Sequence, residues 1–400
     1  MTSESSHKED RKRWCFTSKS VLLLKLYILS EVVSFIILVL IVRPTSSGDG
    51  ILSSYQKERA PTEKEKHYVS NITSDTTIVA LPPLNELIAT NGTIIGDISW
   101  MLDFAIIAFP KSGTTFMKDY LNQTSETYVY EREYCMKRHE DVGDFVREYY
   151  DLHVRYNQPQ YPKTIQFGLK CPGVFYRADD IHVFAKYFPR TKFIVGLRHP
   201  VKWFESFYNY QVYRNVSLPT NTSKLIGRCI DHKKVCTDRG RLHAALARLG
   251  KTPMLENEEL SLLYGQDIMQ ATHSNTDMMT SSTQDHRRLS VQPDGLANEI
   301  FLYEVRQIHD KESSKELSKS IQRYLGIHEE FPEIQQYKQN KTRAINICNG
   351  EHDKARKVLV EHASSASNWI QQYFLGSSDV TVADPNSFHH LLNDWSVDPC

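Results

Sequence analysis

The chain has 400 residues, of which 40% are hydrophobic, 11% aromatic and 24% charged. These fractions are typical of a folded globular protein and exclude a wholly disordered, collagen-like or multi-span membrane protein. Lys and Arg together number 48, as do Asp and Glu, so no excess of charge points to a nucleic-acid partner.

The first 42 residues predict a single-pass membrane anchor. Several basic residues in the tail 1–20 precede an apolar run over residues 21–42, which only Lys25 and Glu31 interrupt. This order predicts that residues 1–20 lie in the cytosol and the remainder in a lumen. A cleaved signal peptide is the main alternative, but the segment before the run is long and no small-x-small cleavage site stands out.

The remaining chain divides into a stem and one domain. Residues 43–98 are rich in Ser, Thr, Lys and Glu and predict an extended stem. Residues 99–400 predict an α/β domain, and a polar stretch at 265–297 without an apolar period predicts a surface insertion.

Cysteines and sequons fit a luminal domain. Six cysteines follow the apolar run, and of their possible disulfides Cys229–Cys236 is the first choice because it closes a short loop. With His232 between them these two cysteines do not match a zinc site, and no metal site is predicted. Asn-x-Ser/Thr sequons occur at Asn71, Asn91, Asn122, Asn215, Asn221 and Asn340.

Apolar runs predict three buried strands, over residues 104–109, 192–197 and 301–305. A helix is expected after each strand, and Pro200 suits the first turn of the second helix. Strands alternating with helices predict a parallel sheet with helices on both faces. Ligands in such folds bind at the carboxyl ends of the strands.

The turn after the first strand reads Phe-Pro-Lys-Ser-Gly-Thr-Thr over residues 109–115 and predicts an anion site. Amides at the start of a helix bind phosphate, Gly113 allows a close approach, and Lys111 supplies positive charge. In a nucleoside-triphosphate loop the Lys follows the last Gly. Here Lys111 precedes Gly113, which argues against a kinase or an ATPase.

This turn resembles the 5′-phosphosulfate loop of sulfotransferases that use 3′-phosphoadenosine 5′-phosphosulfate (PAPS). Arg198, with Ser206 eight residues later, resembles the 3′-phosphate motif of the same family. Taken from the residues alone, Arg198 could form a salt bridge at a helix start and Ser206 could be a solvated helix position. The resemblance spans about residues 101–375, and membrane-anchored carbohydrate sulfotransferases, notably the heparan sulfate 3-O- and N-sulfotransferases, are the most similar branch. This resemblance implies a P-loop-like parallel sheet flanked by helices on both faces.

Further segments match that branch. Glu133 stands at the position of a Glu in a Glu-x-x-Phe-Phe-like segment, and Lys170 at the Lys of a Glu-Lys-Ser/Thr-Pro-x-Tyr-Phe-like segment. Residues 368–374 resemble the last helix of the family. Leu169 replaces the Glu of the second segment, and the basic loop over the nucleotide is represented only by the candidates Lys341 and Arg343.

The resemblance implies a role for each residue. Lys111 is assigned to the leaving oxygen, Glu133 to the general base and Lys170 to the sulfonate or the acceptor. Glu131 and His139 are the alternative bases, and Glu133 could instead be a surface carboxylate beside Arg132. Residues assigned to the nucleotide are Lys111, Ser112, Gly113, Thr114, Thr115, Arg198, Ser206, Lys341 and Arg343.

The sequence therefore predicts a Golgi type II membrane protein that transfers a sulfo group from PAPS to a hydroxyl or amine of a carbohydrate. PAPS is the co-substrate, without a metal, and the partners are a glycan acceptor and the bilayer, with no nucleic acid. A tyrosylprotein or lipid acceptor is an alternative within the family. An inactive membrane protein that binds the nucleotide is the alternative outside it.

Overall fold

A computed structural model describes residues 80–136, 139–158, 161–162, 164–174, 178–229, 235–249, 298–335 and 343–400. The predicted cytosolic tail, the anchor at 21–42 and the insertion at 265–297 lie outside these residues. Within the described ranges, no helix combines the length and the hydropathy needed to cross a bilayer.

In this part of the chain, six parallel strands form one sheet in the order β2-β3-β1-β4-β5-β6. The strands are β1 (Phe104–Ala108), β2 (Thr127–Glu133), β3 (Gln166–Cys171), β4 (Lys192–Leu197), β5 (Ile300–Glu304) and β6 (Val380–Val382). Helices connect the strands, as parallel pairing requires. The three strands predicted from apolar runs are confirmed as β1, β4 and β5, with ends that differ by one residue at β1 and β5.

Nine helices of the described chain accompany the sheet. They are α1 (Leu84–Leu87), α2 (Thr114–Leu121), α3 (His139–Tyr156), α4 (Ala178–Tyr187), α5 (Pro200–Tyr213), α6 (Val305–His309), α7 (Lys311–Leu325), α8 (Asp353–Trp369) and α9 (Pro385–Asn393). Pro200 is the first residue of α5, as predicted. Gly326, in the left-handed conformation, ends α7. Short 3₁₀ or π turns complete the described chain at Ser99–Met101, Thr222–Leu225, Thr237–Gly240, Leu242–Leu249, Gly350–His352, Ile370–Phe374 and Asp394–Ser396.

Both faces of the sheet are covered, and the alternation of β1 shows why. Phe104 and Ile106 belong to a core shared with α2 and α7. Ala105 and Ile107 belong to a larger core shared with α3, α4, α5, α8 and α9. Successive side chains of a strand point to opposite faces, so a wholly apolar strand such as β1 is buried from both sides.

The final part of the predicted stem packs against this domain. Leu87, Ile88 and Ile98 are buried in the larger core, and Ile88 forms an antiparallel bridge with Ile94. These apolar side chains gain from burial, so the segment that carries them packs against the α/β domain, and the boundary of the stem stays a prediction.

Three disulfides join Cys135 to Cys171, Cys229 to Cys236 and Cys348 to Cys400. The predicted pair Cys229–Cys236 is therefore confirmed, and all six cysteines that follow the apolar run are paired.

Candidate functional site

The order of the strands makes β1 the topological switch point of the sheet. β1 lies between β3 and β4, with β2 beyond β3 and β5 beyond β4, so the strands that follow β1 lie on both sides of it. Ligands of open parallel sheets bind at such a switch point, outside the carboxyl ends of the strands. The predicted anion loop leaves β1 at this point.

The loop combines two residues in the left-handed conformation, Lys111 with φ 74° and Gly113 with φ 80°. Glycine adopts this conformation readily, whereas Lys111 adopts it at a cost that the surrounding contacts must offset. Gly113 is the residue before α2 and makes no side-chain cap. The first amides of any helix have no intrahelical acceptor. Because no side chain caps α2, the amides of its first turn are suited to an anion.

Three side chains from other elements bind the loop carbonyls. Trp203 Nε1 donates to Pro110 O over 2.8 Å, Arg198 Nη1 to Lys111 O over 2.9 Å, and Tyr303 Oη to Ser112 O over 3.1 Å. In a trans peptide the N–H points opposite to the preceding C=O. Pro110 O and Ser112 O point towards their donors, so the amides that follow them, those of Lys111 and Gly113, point the opposite way.

Gly196 of β4 allows the loop to lie against the sheet. A Cβ at this position would be 2.1 Å from Ser112 O and 2.6 Å from Tyr303 Oη. Such distances are far below van der Waals contact, so only glycine fits between the loop and β5 here. The requirement for Gly196 was not recognised from the sequence, because Ser112 and Tyr303 lie far from it along the chain.

Ser112 itself carries a sign of the ligand. Its side chain is fully buried, and Oγ has no hydrogen-bond partner among the described residues. Buried hydroxyls are nearly always hydrogen-bonded. An anion held by the loop amides would supply the missing acceptor, so the loop fits an anionic ligand.

Cationic side chains surround the loop. Lys111 Nζ lies 4.7 Å from the centre of the Tyr210 ring. Burial lowers the pKa of the Arg198 guanidinium, while the carboxylates of Glu304 and Glu205 act against this shift. Arginine nevertheless stays charged, and its charge adds to burial in lowering the pKa of His309. Arg198 therefore brings a positive charge to the loop, with the carboxylates of Glu304 and Glu205 near it.

The C-terminal candidate Arg343 reaches the same region through α5. Arg343 Nη1 lies 3.6 Å from Glu205 Oε1, which also accepts a hydrogen bond from Ile347 N over 3.3 Å. Asn209, one turn further along α5, accepts from the amides of Ala344 and Ile345 over 2.8 and 2.9 Å. Glu205 and Asn209 were missed in the sequence because their partners lie about 135–142 residues away.

On the other side of β1, one ammonium group joins the proposed base to the loop. Lys170 Nζ lies 2.7 Å from Glu133 Oε1 and donates to Thr115 Oγ1 over 3.2 Å. Lys170 is buried, whereas 57% of the Glu133 side chain is exposed and open to a second substrate. The carboxylate, the ammonium and the first turn of α2 thus form one connected group.

The remaining candidates have other partners or lie apart from this group. Arg132 pairs with Glu148 at 3.1 Å, so Glu133 is not simply the partner of Arg132. Glu131 is exposed, and its backbone oxygen accepts a hydrogen bond from Lys118. Ser206 lies half-buried on α5, immediately after Glu205. Lys341 and the side chain of His139 are outside the described residues.

Glu304 was also missed in the sequence. It ends β5 and is buried. Its carboxylate accepts hydrogen bonds from the backbone amide of Arg306 over 2.6 Å and from Arg306 Nε over 3.2 Å. Burial raises the pKa of Glu304, and the neighbouring Arg306 acts against this. In the described part of the chain, no three side chains of His, Cys, Asp and Glu form a metal-binding group.

Comparison with known proteins gives little beyond this geometry. No family model and no curated protein matches the sequence. Among solved structures, the chain is similar to the crystal structure of a sulfotransferase from Alicyclobacillus acidocaldarius, with a TM-score of 0.37 and 10% identity, covering 69% of this chain and 98% of that chain. Such a TM-score is too low to support a function, which has to be inferred from the site.

Proposed function

We propose that this protein is a sulfotransferase that uses PAPS as the sulfo donor. The observation that carries the proposal is the group at the carboxyl ends of β1, β2 and β3. There the loop of Lys111 and Gly113 adjoins a lysine that contacts both Thr115 and the exposed Glu133 carboxylate. An anion site with a carboxylate beside it suits the transfer of a charged group to a hydroxyl or an amine.

The residues at the site divide between the two ends of the nucleotide. Ser112, Gly113, Thr114 and Thr115 would hold the 5′ phosphosulfate through the loop amides and hydroxyls. Arg198, Ser206 and Arg343 would hold the 3′ phosphate, with Lys341 as a further candidate. Bound in this way, PAPS supplies an activated sulfo group, and the buried Ser112 hydroxyl gains an acceptor.

The transfer requires one proton acceptor and one cation at the leaving group. The acceptor hydroxyl attacks sulfur in line, a new O–S bond forms, and the bond from sulfur to the bridging phosphate oxygen breaks. Glu133 takes the proton of the hydroxyl, Lys111 balances the charge on the departing phosphate of 3′,5′-adenosine diphosphate (PAP), and Lys170 contacts the sulfonate. A sulfonate carries less charge than a phosphoryl group, so a lysine can replace Mg²⁺.

For the acceptor we propose a carbohydrate, following the resemblance in the motifs around Glu133 and Lys170. The N-terminal apolar run and the sequons fit a Golgi type II membrane protein. A tyrosylprotein or a lipid is the alternative acceptor. Incubation of the full chain with labelled PAPS and a panel of glycans, tyrosine peptides and glycolipids distinguishes these acceptors by which one becomes labelled.

Replacement of the proposed base tests the mechanism. Glu133→Gln should lower kcat by about two orders of magnitude or more while PAP still binds, because the amide cannot accept the proton. Glu131→Gln is the matched control and should retain kcat. Undiminished turnover of Glu133→Gln would assign the base to Glu131 or His139. Binding of PAP without transfer by the natural chain to any acceptor would indicate an inactive nucleotide-binding protein.

A further inference from the structure

The strand that carries Glu133 is only partly held by the sheet. In the described chain, β2 pairs with β3 alone and forms an edge of the sheet. From the pair Val129–Gly168 to the pair Glu133–Lys170, β2 advances four residues while β3 advances two. The ladder is therefore irregular immediately before Glu133, as in a bulge, and bulged edge strands re-aim the side chains that follow.

Beside Glu133, the ring of Tyr134 packs against Tyr130 and Phe145, and polar contacts with Lys170 join this part of β2 to β3. Tyr134 N donates to Lys170 O over 3.2 Å, and the Glu133 carboxylate pairs with Lys170. An ion pair with a partner as exposed as Glu133 contributes little to holding a strand, because water competes for both charges.

A covalent bond closes the two strands just beyond this point. Cys135 follows Glu133 by two residues, Cys171 follows Lys170 directly, and the disulfide holds their Cα atoms 5.1 Å apart. Cys171 is buried at the end of β3. The proposed base and its lysine are thus enclosed between an irregular ladder on one side and a disulfide on the other.

We propose that the Cys135–Cys171 disulfide is a positioning element for the transfer reaction, which holds the Glu133 carboxylate against Lys170 and beside the anion loop. The inference rests on the proposed function. The loop itself is held by Arg198, Trp203 and Tyr303, which belong to other elements. Loss of the disulfide should therefore affect the chemical step and leave nucleotide binding intact.

The test compares two double variants of the full chain. In Cys135→Ala/Cys171→Ala, kcat should fall by about tenfold or more, because small displacements of a catalytic group are costly. The Kd of PAP and the KM of PAPS should stay within about twofold of the natural values. The matched control Cys229→Ala/Cys236→Ala removes a disulfide that does not flank Glu133 and Lys170, and it should retain kcat.

A purely structural disulfide gives a different result. It would lower the unfolding temperature while kcat, measured well below that temperature, stays unchanged, and this outcome overturns the inference. If the natural chain binds PAP but transfers nothing, the proposed function is wrong, and the positioning role is wrong with it because there is no transfer reaction to assist.

A second measurement covers the case in which the double variant does not fold. The natural protein is partially reduced and alkylated, and labelling of each cysteine is followed by peptide mass spectrometry. Activity should fall in step with labelling of Cys135 and not with that of Cys229. Full labelling of Cys135 with unchanged kcat would contradict the inference.

Discussion

Arg198 links two parts of the site at the scale of a single residue. It follows β4, and its guanidinium donates to Lys111 O in the loop that follows β1. The carbonyl it binds belongs to a lysine in the left-handed conformation, so Arg198 stabilises a loop shape that would otherwise be strained. The side chain proposed for the 3′ phosphate therefore also shapes the 5′ side.

Binding of two different nucleotides distinguishes the two roles of Arg198. Arg198→Ala should weaken binding of PAP and also of adenosine 5′-phosphosulfate, which has no 3′ phosphate, by about tenfold or more each, since a charge-assisted hydrogen bond is lost. Isothermal titration calorimetry measures both values of Kd. Arg343→Ala, whose contact is with Glu205, should weaken PAP alone. If Arg198→Ala leaves adenosine 5′-phosphosulfate unaffected, the contact with the loop contributes nothing to binding.

Lys111 is the other residue on which the chemistry depends. Lys111→Ala should abolish detectable transfer, because no other group is assigned to the charge on the leaving oxygen. Turnover is measured with labelled PAPS at saturating acceptor. Lys315→Ala, at an exposed lysine of α7 paired with Glu312, should leave turnover unchanged. Transfer by Lys111→Ala would remove the leaving-group assignment.

At the scale of elements, the strands differ in how much their sequences reveal. β1, β4 and β5 could be predicted because both faces are buried, which leaves continuous apolar runs. β2 was not predicted, because its last three residues, at the edge of the sheet, are charged and exposed. β3 contains Gly168 and Lys170 and gives no such run.

The site shows a similar division. The loop motif is local, so the sequence reveals it. The contacts that shape the loop join residues far apart in the chain, such as Tyr303 and Ser112, 191 positions away. Likewise, spacing alone favours Cys229–Cys236, whereas the pairing of Cys135 with Cys171 follows from the register of β2 and β3.

The packing of β4 against the loop makes a prediction of its own. Gly196→Ala should weaken PAP binding by about tenfold or more and destabilise the fold by about 1–3 kcal/mol, since the new Cβ overlaps Ser112 O and Tyr303 Oη. PAP titration and thermal unfolding measure the two effects. Gly350→Ala is the control, because among the described residues the nearest atom to its Cβ would be an oxygen of the Asp353 carboxylate, at 4.0 Å. Wild-type affinity in Gly196→Ala would show that the loop can shift without loss.

At the scale of the whole molecule, buried histidines set the response to acid. Burial lowers the pKa of His199 to about 4 and that of His243 to about 3, with nearby cations or histidines adding to the effect. The same direction, with burial as the first cause, holds for His153, His309 and His362. Asp103 opposes it, because burial raises its pKa to about 6.

The sign follows from proton uptake. An unfolded histidine takes up its proton near pH 6.5, whereas folded His199 stays neutral until about pH 4. Between these values the unfolded state binds more protons, so the free energy of unfolding falls as the pH falls. Asp103 and Glu304, whose pKa values burial raises, act in the opposite direction, but they are two groups against five histidines, and the net effect is a loss of stability on acidification.

One substitution measures how much His199 contributes to the loss of stability on acidification. This residue caps α5, with Nδ1 accepting a hydrogen bond from Val201 N over 3.2 Å, and Asn can supply the same acceptor without titrating. At about pH 5, neutral His199 should cost about 2 kcal/mol of stability relative to neutral pH. The unfolding temperature of His199→Asn should therefore fall less between about pH 7 and pH 5 than that of the natural chain, by about 5 °C. Differential scanning fluorimetry at both pH values measures this difference. Equal decreases in the two proteins would mean that His199 is protonated in the fold, in spite of its burial against Trp395.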